Sequence, residues 1–563
     1  MDTCATPLLA SPQRVAELKV ESLSQASAQL GPRQLCELEM LLSGAFSPLA
    51  GYMGREDFES VLAGMRLADG RPWPMPVALD VPEALAKRLG PGDKLALRDQ
   101  EGFMLAVLTV SEVWPSAPAR EAAALYGLAD IDRHPEARAY AGKAPFWHVG
   151  GAIEGVSLPL HADFPELRRT PAEVRAVFRQ RGWRKVLGCQ PRAFPHNRQR
   201  AVLRKAAAAI EGSILLVREA GDAISGGALH FAGVRCARLF AEAFPPNMLL
   251  VNLLPLCSRQ AGPRQALFEA LVQKNHGCTH TLVGLDHADP LDADGAPLYA
   301  PGQAQRLVAD FEAETGIVMV PETAMDYVEE KAQFVPRSAV APGMTVRDLP
   351  PAELKRRLEF DLDIPEWFTP PAVAAELRAV YPPRSRQGLT LFMTGLSGAG
   401  KSTLARLLFV KFMELRTRPV TLLDGDIVRR HLSSELTFSK EHRNLNISRI
   451  GYVASEITKN GGIAICAPIA PYESSRAEAR ALVRPYGGFV EIHVSTPLAV
   501  CEQRDRKGLY AKARAGIVKG VTGIDDPYEV PAHPEISLDT AKLTPGEAVQ
   551  EVLLYLEREG YLG

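Results

Sequence analysis

Gly395-Leu396-Ser397-Gly398-Ala399-Gly400-Lys401-Ser402-Thr403 reads as a G-x-x-x-x-G-K-S phosphate-binding loop, and it decides the fold of the last third of the chain. It follows the apolar, β-prone run Leu389-Thr390-Leu391-Phe392-Met393-Thr394 and opens a helical pattern at Leu404, Leu407, Leu408 and Val410. The strand, loop and helix therefore stand in the order the motif requires. Glycines let backbone N–H groups turn inward around phosphate oxygens, and the start of the helix adds a favourable dipole. In this pattern Lys401 reaches the outer phosphates and Ser402 holds Mg²⁺. A bare strand-to-helix turn has no use for Lys401-Ser402 at this spacing.

Downstream, the strand-like run Val420-Thr421-Leu422-Leu423 delivers Asp424-Gly425-Asp426, with Arg429 three positions on. Carboxylates at the carboxyl end of a strand can face both a metal and an acceptor hydroxyl, although a pair of exposed turn acids would read the same way. Further strands are predicted at 462–467 and 487–494, each followed by a helix, which completes a P-loop α/β core.

Bulk properties narrow the classes. A chain of 563 residues has room for three or four domains. Its 64 Lys and Arg against 66 Asp and Glu leave a net charge of −2, with no basic excess for a nucleic-acid backbone. Eight cysteines form no C-x-x-C pair, which argues against a disulfide scaffold or a zinc site and fits buried thiols in a reducing cytosol. There is no apolar run of 18 residues and no basic-then-apolar leader at Met1, so a cytoplasmic protein without a membrane span is expected.

From about residue 2 to 145 the pattern is short and mixed: a helix near 33–42, then β-like runs at 76–81 and 103–110 separated by Asp69-Gly70 and Pro91-Gly92, which suits a β-rich domain. From about 170 to 336, buried strands predicted at 186–189, 214–217, 248–254, 281–285 and 317–320 alternate with helices, a βαβ layout with a parallel sheet. Ligands in such folds sit beyond the carboxyl ends of the strands. Two clusters fall there: Gln190-Pro191-Arg192-Ala193-Phe194-Pro195-His196-Asn197-Arg198-Gln199 and Gly284-Leu285-Asp286-His287-Ala288. Helical patterns at 351–358 and 373–380 follow, closed by Pro382-Pro383-Arg384.

The stretch from Arg33 to Met53, with Glu37-Leu38-Glu39 and Gly44-Ala45-Phe46-Ser47-Pro48-Leu49-Ala50-Gly51-Tyr52, resembles the N-terminal region of sulfate adenylyltransferases, or ATP sulfurylases. Both strand-end clusters are similar to signatures of that family, Q-x-R-N-P-x-H-x-x-H and G-R-D-H-A, and Arg259 and Ala261-Gly262-Pro263-Arg264 agree as well. The resemblance implies a site for joining sulfate to the α-phosphate of ATP, with Gln and Arg holding sulfate and histidines steadying phosphates. Gln190, Arg192, His196, Asp286, His287 and Ala288 match; Ala193, Gln199 and Leu285 stand where the family has Asn, His and Arg. Loss of one preorganised donor costs roughly 10²–10³ in rate, so little or no sulfurylase activity is expected from this half. Arg192 and His196 either still bind an anion or serve as ordinary hydrogen-bonded side chains.

The last third resembles adenylylsulfate kinases through the phosphate loop, Leu423-Asp424-Gly425-Asp426, Arg443-Asn444-Leu445-Asn446, Pro471-Tyr472, Lys507-Gly508-Leu509-Tyr510 and Thr522-Gly523-Ile524-Asp525-Asp526-Pro527-Tyr528-Glu529. That family transfers the γ-phosphoryl of MgATP to the 3′-hydroxyl of adenosine 5′-phosphosulfate. By resemblance Lys401 and Asp426 are catalytic, and Gly395, Ser397, Gly398, Ala399, Gly400, Lys401, Ser402, Thr403 and Arg504 bind ATP. Ser402 and Asp426 hold Mg²⁺. Asp424, Arg429, Phe438, Arg443, Asn446, Lys507 and Lys512 bind adenylylsulfate, the two lysines from a lid over 507–529; plain core packing is the other reading for Phe438, a solvated basic loop for the lid. Ala470 replaces a phosphorylatable Ser and Val521 an aromatic.

The expected architecture is α/β and multidomain: a β-rich, PUA-like domain (1–165), a Rossmann-like nucleotidyltransferase α/β domain (166–336), a helical connector (337–387) and a P-loop kinase domain (388–563). The expected protein is an adenylylsulfate kinase, dimeric or hexameric, acting on ATP and adenosine 5′-phosphosulfate with no nucleic-acid or membrane partner. The alternatives are a fully bifunctional enzyme and an N-terminal half that serves only assembly or regulation.

Overall fold

The computed structural model of the chain describes residues 7–562, apart from 129, 192–193, 222, 293–294, 417, 438 and 506–507. It resolves into two compact units, one made of residues 1–349 and 365–376, the other of 350–364 and 377–563. The stretch expected as a connector, 337–387, is thus divided between them.

The first unit begins with a six-stranded sheet built mainly of antiparallel pairs. Lys94–Arg98, Met104–Pro115 and Trp147–Gly155 lie side by side at its centre. The strand expected at 76–81 is only Leu79–Val81. Pro76 has no N–H to give a ladder, and the Val77 carbonyl is taken by the Met53 N–H at 2.8 Å. Next comes a fully parallel sheet in the order Val318–Pro321, His280–Val283, Val186–Cys189, Ser213–Glu219, Leu249–Leu254. One predicted strand is shorter than expected: it stops at Val283 rather than 285, because the Leu285 carbonyl turns to accept the Gly302 N–H at 2.8 Å. A three-stranded antiparallel sheet, centred on Met325–Val328, completes this unit.

In the second unit five parallel strands stand in the order Val420–Asp424, Ile463–Ala467, Gly388–Thr394, Gly487–Val494, Ile536–Leu538. The central strand is buried along its whole length, as expected when helices cover both faces. Its side chains alternate. Leu389, Leu391 and Met393 pack with Leu404, Leu408 and Phe412 of the helix Lys401–Leu415 and with Val552 and Leu556 of Pro545–Arg558. Phe392 points the other way, into a core with Ile447, Ile450 and Ala454 of Lys440–Lys459. This packing fixes where the first strand ends, and so where the phosphate loop sits.

A buried ionic cluster ties the first sheet to its helices. The ring nitrogens of His148, a residue 1% exposed, lie 2.9 Å from Asp80 Oδ1 and 3.2 Å from Glu121 Oε1. Tyr140 donates to Glu121 at 2.8 Å. Burial opposes the charge on His148, yet the two carboxylates push its pKa up to about 9. A group raised in the folded state adds stability that is complete below its unfolded pKa of about 6.5 and lost as pH rises through the folded value. All five tryptophans, Trp73, Trp114, Trp147, Trp183 and Trp367, lie in this unit, so their fluorescence reports its unfolding alone. Urea melts followed this way should show stability falling from about pH 6.5 to about pH 9, with His148→Gln removing most of that slope. A wild-type profile as flat as the variant's would rule the cluster out as its source.

Candidate active site

The phosphate loop joins the central strand Gly388–Thr394 to the helix Lys401–Leu415, with Gly400 as the residue before the helix. Gly400 has φ +109°, and a Cβ there would come within 3.2 Å of Thr540 Cγ2. Only glycine turns the chain this tightly at no steric cost. The Lys401 ammonium is buried and folds back over the loop, donating to the carbonyls of Gly395 at 2.8 Å and Leu396 at 2.7 Å.

Side chains from neighbouring segments hold the loop from outside. The Ala399 carbonyl accepts from Thr496 Oγ1 at 3.1 Å and Thr540 Oγ1 at 2.7 Å. Arg504 donates to Thr540 Oγ1 at 2.7 Å and to its carbonyl at 2.8 Å. Tyr510 donates to the Ser397 carbonyl at 2.9 Å. Arg504 was expected here from sequence; Thr496, Thr540 and Tyr510 were not. Thr540 follows the strand Ile536–Leu538, so the rule that ligands sit beyond strand ends is the signal that could have found it.

The loop forms one wall of a cleft of about 620 Å³, within the range of small-ligand sites. Ser397, Gly398, Gly400, Lys401, Ser402 and Thr403 line it, with Arg504 nearby on the same side. Asp424, Asp426, Arg429, Arg443 and Asn446 line the same cleft. Gly395 and Ala399 belong to the loop but are buried behind that wall. Asp424 caps the helix Gly425–Leu432, its carboxylate accepting the Asp426 N–H at 3.0 Å, which leaves the exposed Asp426 carboxylate on the first turn of that helix. Burial and the neighbouring Arg443 push the Arg429 guanidinium below its ordinary value, with Asp426 opposing. Two guanidiniums that destabilise each other make a place for an anion. Asn446 is 5% exposed, and its amide oxygen has no hydrogen-bond partner. Such an atom, buried in a cleft, suits a ligand donor.

Arg443 is bound to the segment that roofs the cleft. It pairs with Asp526, donates to Thr522 Oγ1 at 3.1 Å and also reaches the Gly520 carbonyl. Asp526 in turn accepts from Tyr472 at 3.0 Å. Lys512 sits on the helix Leu509–Arg514, exposed, and is not among the residues that line the cleft; Lys519, unnoticed in the sequence, is. Phe438 and Lys507 lie outside the described residues. Among the described residues no three His, Cys, Asp or Glu side chains form a metal cage. The oxygen donors Ser402 and Asp426 in one cleft nevertheless suit Mg²⁺, which is bound through one or two protein oxygens plus substrate phosphates.

The second set of matched residues lies in the first unit, around the carboxyl ends of the parallel strands. Gln190 is 7% exposed, and its amide donates to Glu219 Oε1 at 2.7 Å. The other Glu219 oxygen accepts the Ser258 N–H at 3.3 Å. His196 packs against Phe368 with ring centroids 4.3 Å apart, and burial lowers its pKa to about 4, so the ring is neutral near pH 7. Gln199 is spent on capping: its side chain accepts the His196 N–H at 3.0 Å at the start of the helix Asn197–Ile210. His287 faces the fully buried Glu269 at 2.8 Å, Asp286 is exposed on a turn, and Ala288 is buried at φ +58°. Leu285 is half exposed. Arg192 lies outside the described residues. Glu219 is the member of this group that no motif pointed to.

Comparisons with known proteins cover the whole chain. Family models match a PUA-like domain at residues 5–158, ATP-sulfurylase at 165–380 and adenylylsulphate kinase at 387–539. The sulfate adenylyltransferase of Chaetomium globosum is 41% identical over 98% of this chain and 96% of its own length. That of Mycosarcoma maydis is 42% identical over 97% and 96%. A solved structure described as a hexameric APS kinase from Thiobacillus denitrificans superposes with TM-score 0.82 at 41% identity, covering 99% of this chain and 98% of that one. The expected order of α/β domains is therefore correct. Among the described residues no helix is long and apolar enough to cross a membrane.

Thr540 offers a test of the bracing around the loop. A single neutral hydrogen bond contributes about 0.5–1.5 kcal/mol. Thr540→Val removes three, so MgATP affinity measured by calorimetry should fall at least about 10-fold while the far-ultraviolet spectrum is unchanged. Unaltered affinity would show that Thr540 does not hold the loop.

Proposed function

This chain belongs to the sulfate adenylyltransferase family, with a sulfurylase domain and an adenylylsulfate kinase domain in one polypeptide, and we propose that its working site is the kinase cleft. The reaction is transfer of the γ-phosphoryl of ATP to the 3′-hydroxyl of adenosine 5′-phosphosulfate, giving 3′-phosphoadenosine 5′-phosphosulfate and ADP. One observation carries this reading: a single cleft is lined both by a phosphate loop with Lys401 and by an acid with two arginines, Asp426, Arg429 and Arg443.

Each residue then has a task set by its chemistry. The loop from Gly395 to Thr403 binds the nucleotide phosphates, and Lys401 stabilises charge on the phosphoryl group in flight. Asp426 accepts the proton of the 3′-hydroxyl as it attacks in line. Arg429 and Arg443 grip the phosphosulfate, for which the planar guanidinium fork is well matched, and Asn446 adds a hydrogen bond. Ser402 and Asp426 are the residues that would hold Mg²⁺, which when bound neutralises charge on the transferring phosphates. Ala470, at the position of a phosphorylatable serine, leaves no hydroxyl for a phosphoserine there.

The sulfurylase domain we propose to be inactive or weak. What supports this is the Gln190–Glu219 contact: the amide that would grip sulfate already binds a carboxylate. A sulfate placed there would meet like charge, at a cost of about 4 kcal/mol per pair of unit charges 4 Å apart at an effective dielectric of 20. Neutral His196 offers no compensation. The name carried by the fungal relatives favours a second reading, a fully bifunctional enzyme. We further propose that the chain works as a homo-oligomer, a reading supported by the hexameric description of the Thiobacillus denitrificans protein.

Paired assays on the purified protein separate these readings. Adenylylsulfate-dependent ADP formation should be robust, and Asp426→Asn should lower kcat about 10²–10⁴-fold. Lys401→Ala should lower it by about 10²–10³-fold. Near-normal turnover in either variant removes that residue from the mechanism. Sulfate-dependent pyrophosphate release should be at least about 10²-fold slower than the kinase step; comparable rates establish the bifunctional enzyme instead. In sedimentation, a single species at the 61.2 kDa chain mass would dismiss the oligomer.

A further inference from the structure

Cys36 lies on the helix Pro32–Leu42 and Cys257 on the segment after the strand Leu249–Leu254. They are 221 positions apart in sequence, yet their sulfurs stand 3.8 Å from each other. Both are free thiols. Cys36 is 5% exposed, and its thiol also reaches the Gly221 carbonyl at 2.8 Å. Cys257 is only partly buried, so it is the less sheltered residue of the pair.

The surroundings separate the two sulfurs chemically. Arg259 and Arg33 both pair with Glu37, the residue next to Cys36, at 3.0 and 3.1 Å. The hydrogen bond with Cys36 holds the Cys257 thiol below its ordinary range and the Arg33 guanidinium adds to that effect, against the desolvation of its site and the carboxylates of Glu37 and Glu219. Burial and the same hydrogen bond push Cys36 the other way. A void of about 20 Å³, lined by both cysteines, gives their side chains room to turn. Gly221 is what lets the sulfur in: a Cβ there would stand 2.5 Å from Cys257 Sγ. An accessible, thiolate-prone cysteine beside a resolving cysteine is the arrangement that exchanges with disulfides.

We propose that Cys36 and Cys257 form a thiol–disulfide exchange site for low-molecular-weight disulfides, with Cys257 as the attacking sulfur and Cys36 as the resolving one. In the first step the Cys257 thiolate attacks one sulfur of R–S–S–R. That S–S bond breaks, a mixed disulfide forms on Cys257, and the departing RS⁻ takes up the proton that Cys257 had given to solvent. In the second step Cys36 loses its proton and attacks Cys257 Sγ, expelling the second RS⁻, which is protonated in turn. The protein's two thiols lose two electrons and two protons, and the small disulfide gains both and leaves as two RSH. The new bond ties the helix Pro32–Leu42 to the segment that leads into Ser258, whose N–H donates to Glu219. Oxidation would therefore be felt directly behind the Gln190–Glu219 contact.

The test uses full-length reduced protein and an excess of oxidised glutathione, followed by acid quenching, alkylation of free thiols and peptide mass spectrometry. In the wild type the peptides carrying Cys36 and Cys257 should be recovered as one linked species lighter by two hydrogens. Cys36→Ser should stop the reaction at a glutathione adduct on Cys257, and Cys257→Ser should leave Cys36 alkylated and unlinked. The proposal is overturned if both cysteines of the wild type are recovered alkylated, or if the adduct forms on Cys36 in Cys257→Ser. It also fails if buried Cys189 and Cys278 react as fast as Cys257, because exchange would then report unfolding rather than a built site.

Discussion

The kinase cleft depends on the carbonyls of one short loop being spoken for before any ligand arrives. The Gly395 and Leu396 carbonyls accept the Lys401 ammonium, Ser397 is held by Tyr510, and Ala399 by Thr496 and Thr540. A glycine-rich loop left to itself would sample many conformations, and ordering it on binding would cost affinity. Here the ordering is done during folding, by side chains from the sheet's far edge and the roof segment. The lysine is oriented by the same bonds it must exchange when phosphates enter, so a charge that is costly to bury has partners in both states.

What was legible in the sequence follows from how local the causes are. The phosphate loop, the strand before it and the helix after it are set by neighbours in sequence, and the structure places them as read. The Asp424-Gly425-Asp426 turn is also local, since Asp424 caps the helix that carries Asp426. Strand ends were read less well. Whether 284–285 continues a ladder depends on where the Gly302 N–H lies, and no local pattern records that. The contacts missed in the sequence are all distant pairings: Thr540 against the phosphate loop, Glu219 against Gln190, Cys257 against Cys36. Residue type alone is silent in such cases, because a threonine after a strand or a lone cysteine has many uses.

Gln190 shows how a matched motif residue can carry a contact that the motif does not record. Its identity agrees with the sulfurylase signature, and so does its place at the end of a buried parallel strand. Only the partner on the adjacent strand, Glu219, reveals what the amide is holding. Gln199 carries the same lesson from the other side. At the position of a signature histidine it accepts the His196 N–H and so helps start a helix, a role that local geometry rewards regardless of chemistry.

The fold of the first unit has no need of that chemistry. Arg264, which also matches the sulfurylase family, donates to the carbonyls of Val61, Leu62 and Pro74 at 3.0–3.3 Å, and Arg259 pairs with Glu37 while donating to the Pro76 carbonyl. Each is a cation spent on tying the N-terminal sheet region to the parallel-sheet region, where removing it would leave buried carbonyls unpaired. Leu285, half exposed on a turn, carries no comparable burden, because a loop side chain at the edge of a sheet can change without disturbing the packed layers beneath it. A domain of this design can therefore change residues at its rim while the contacts that tie its two sheet regions together are kept.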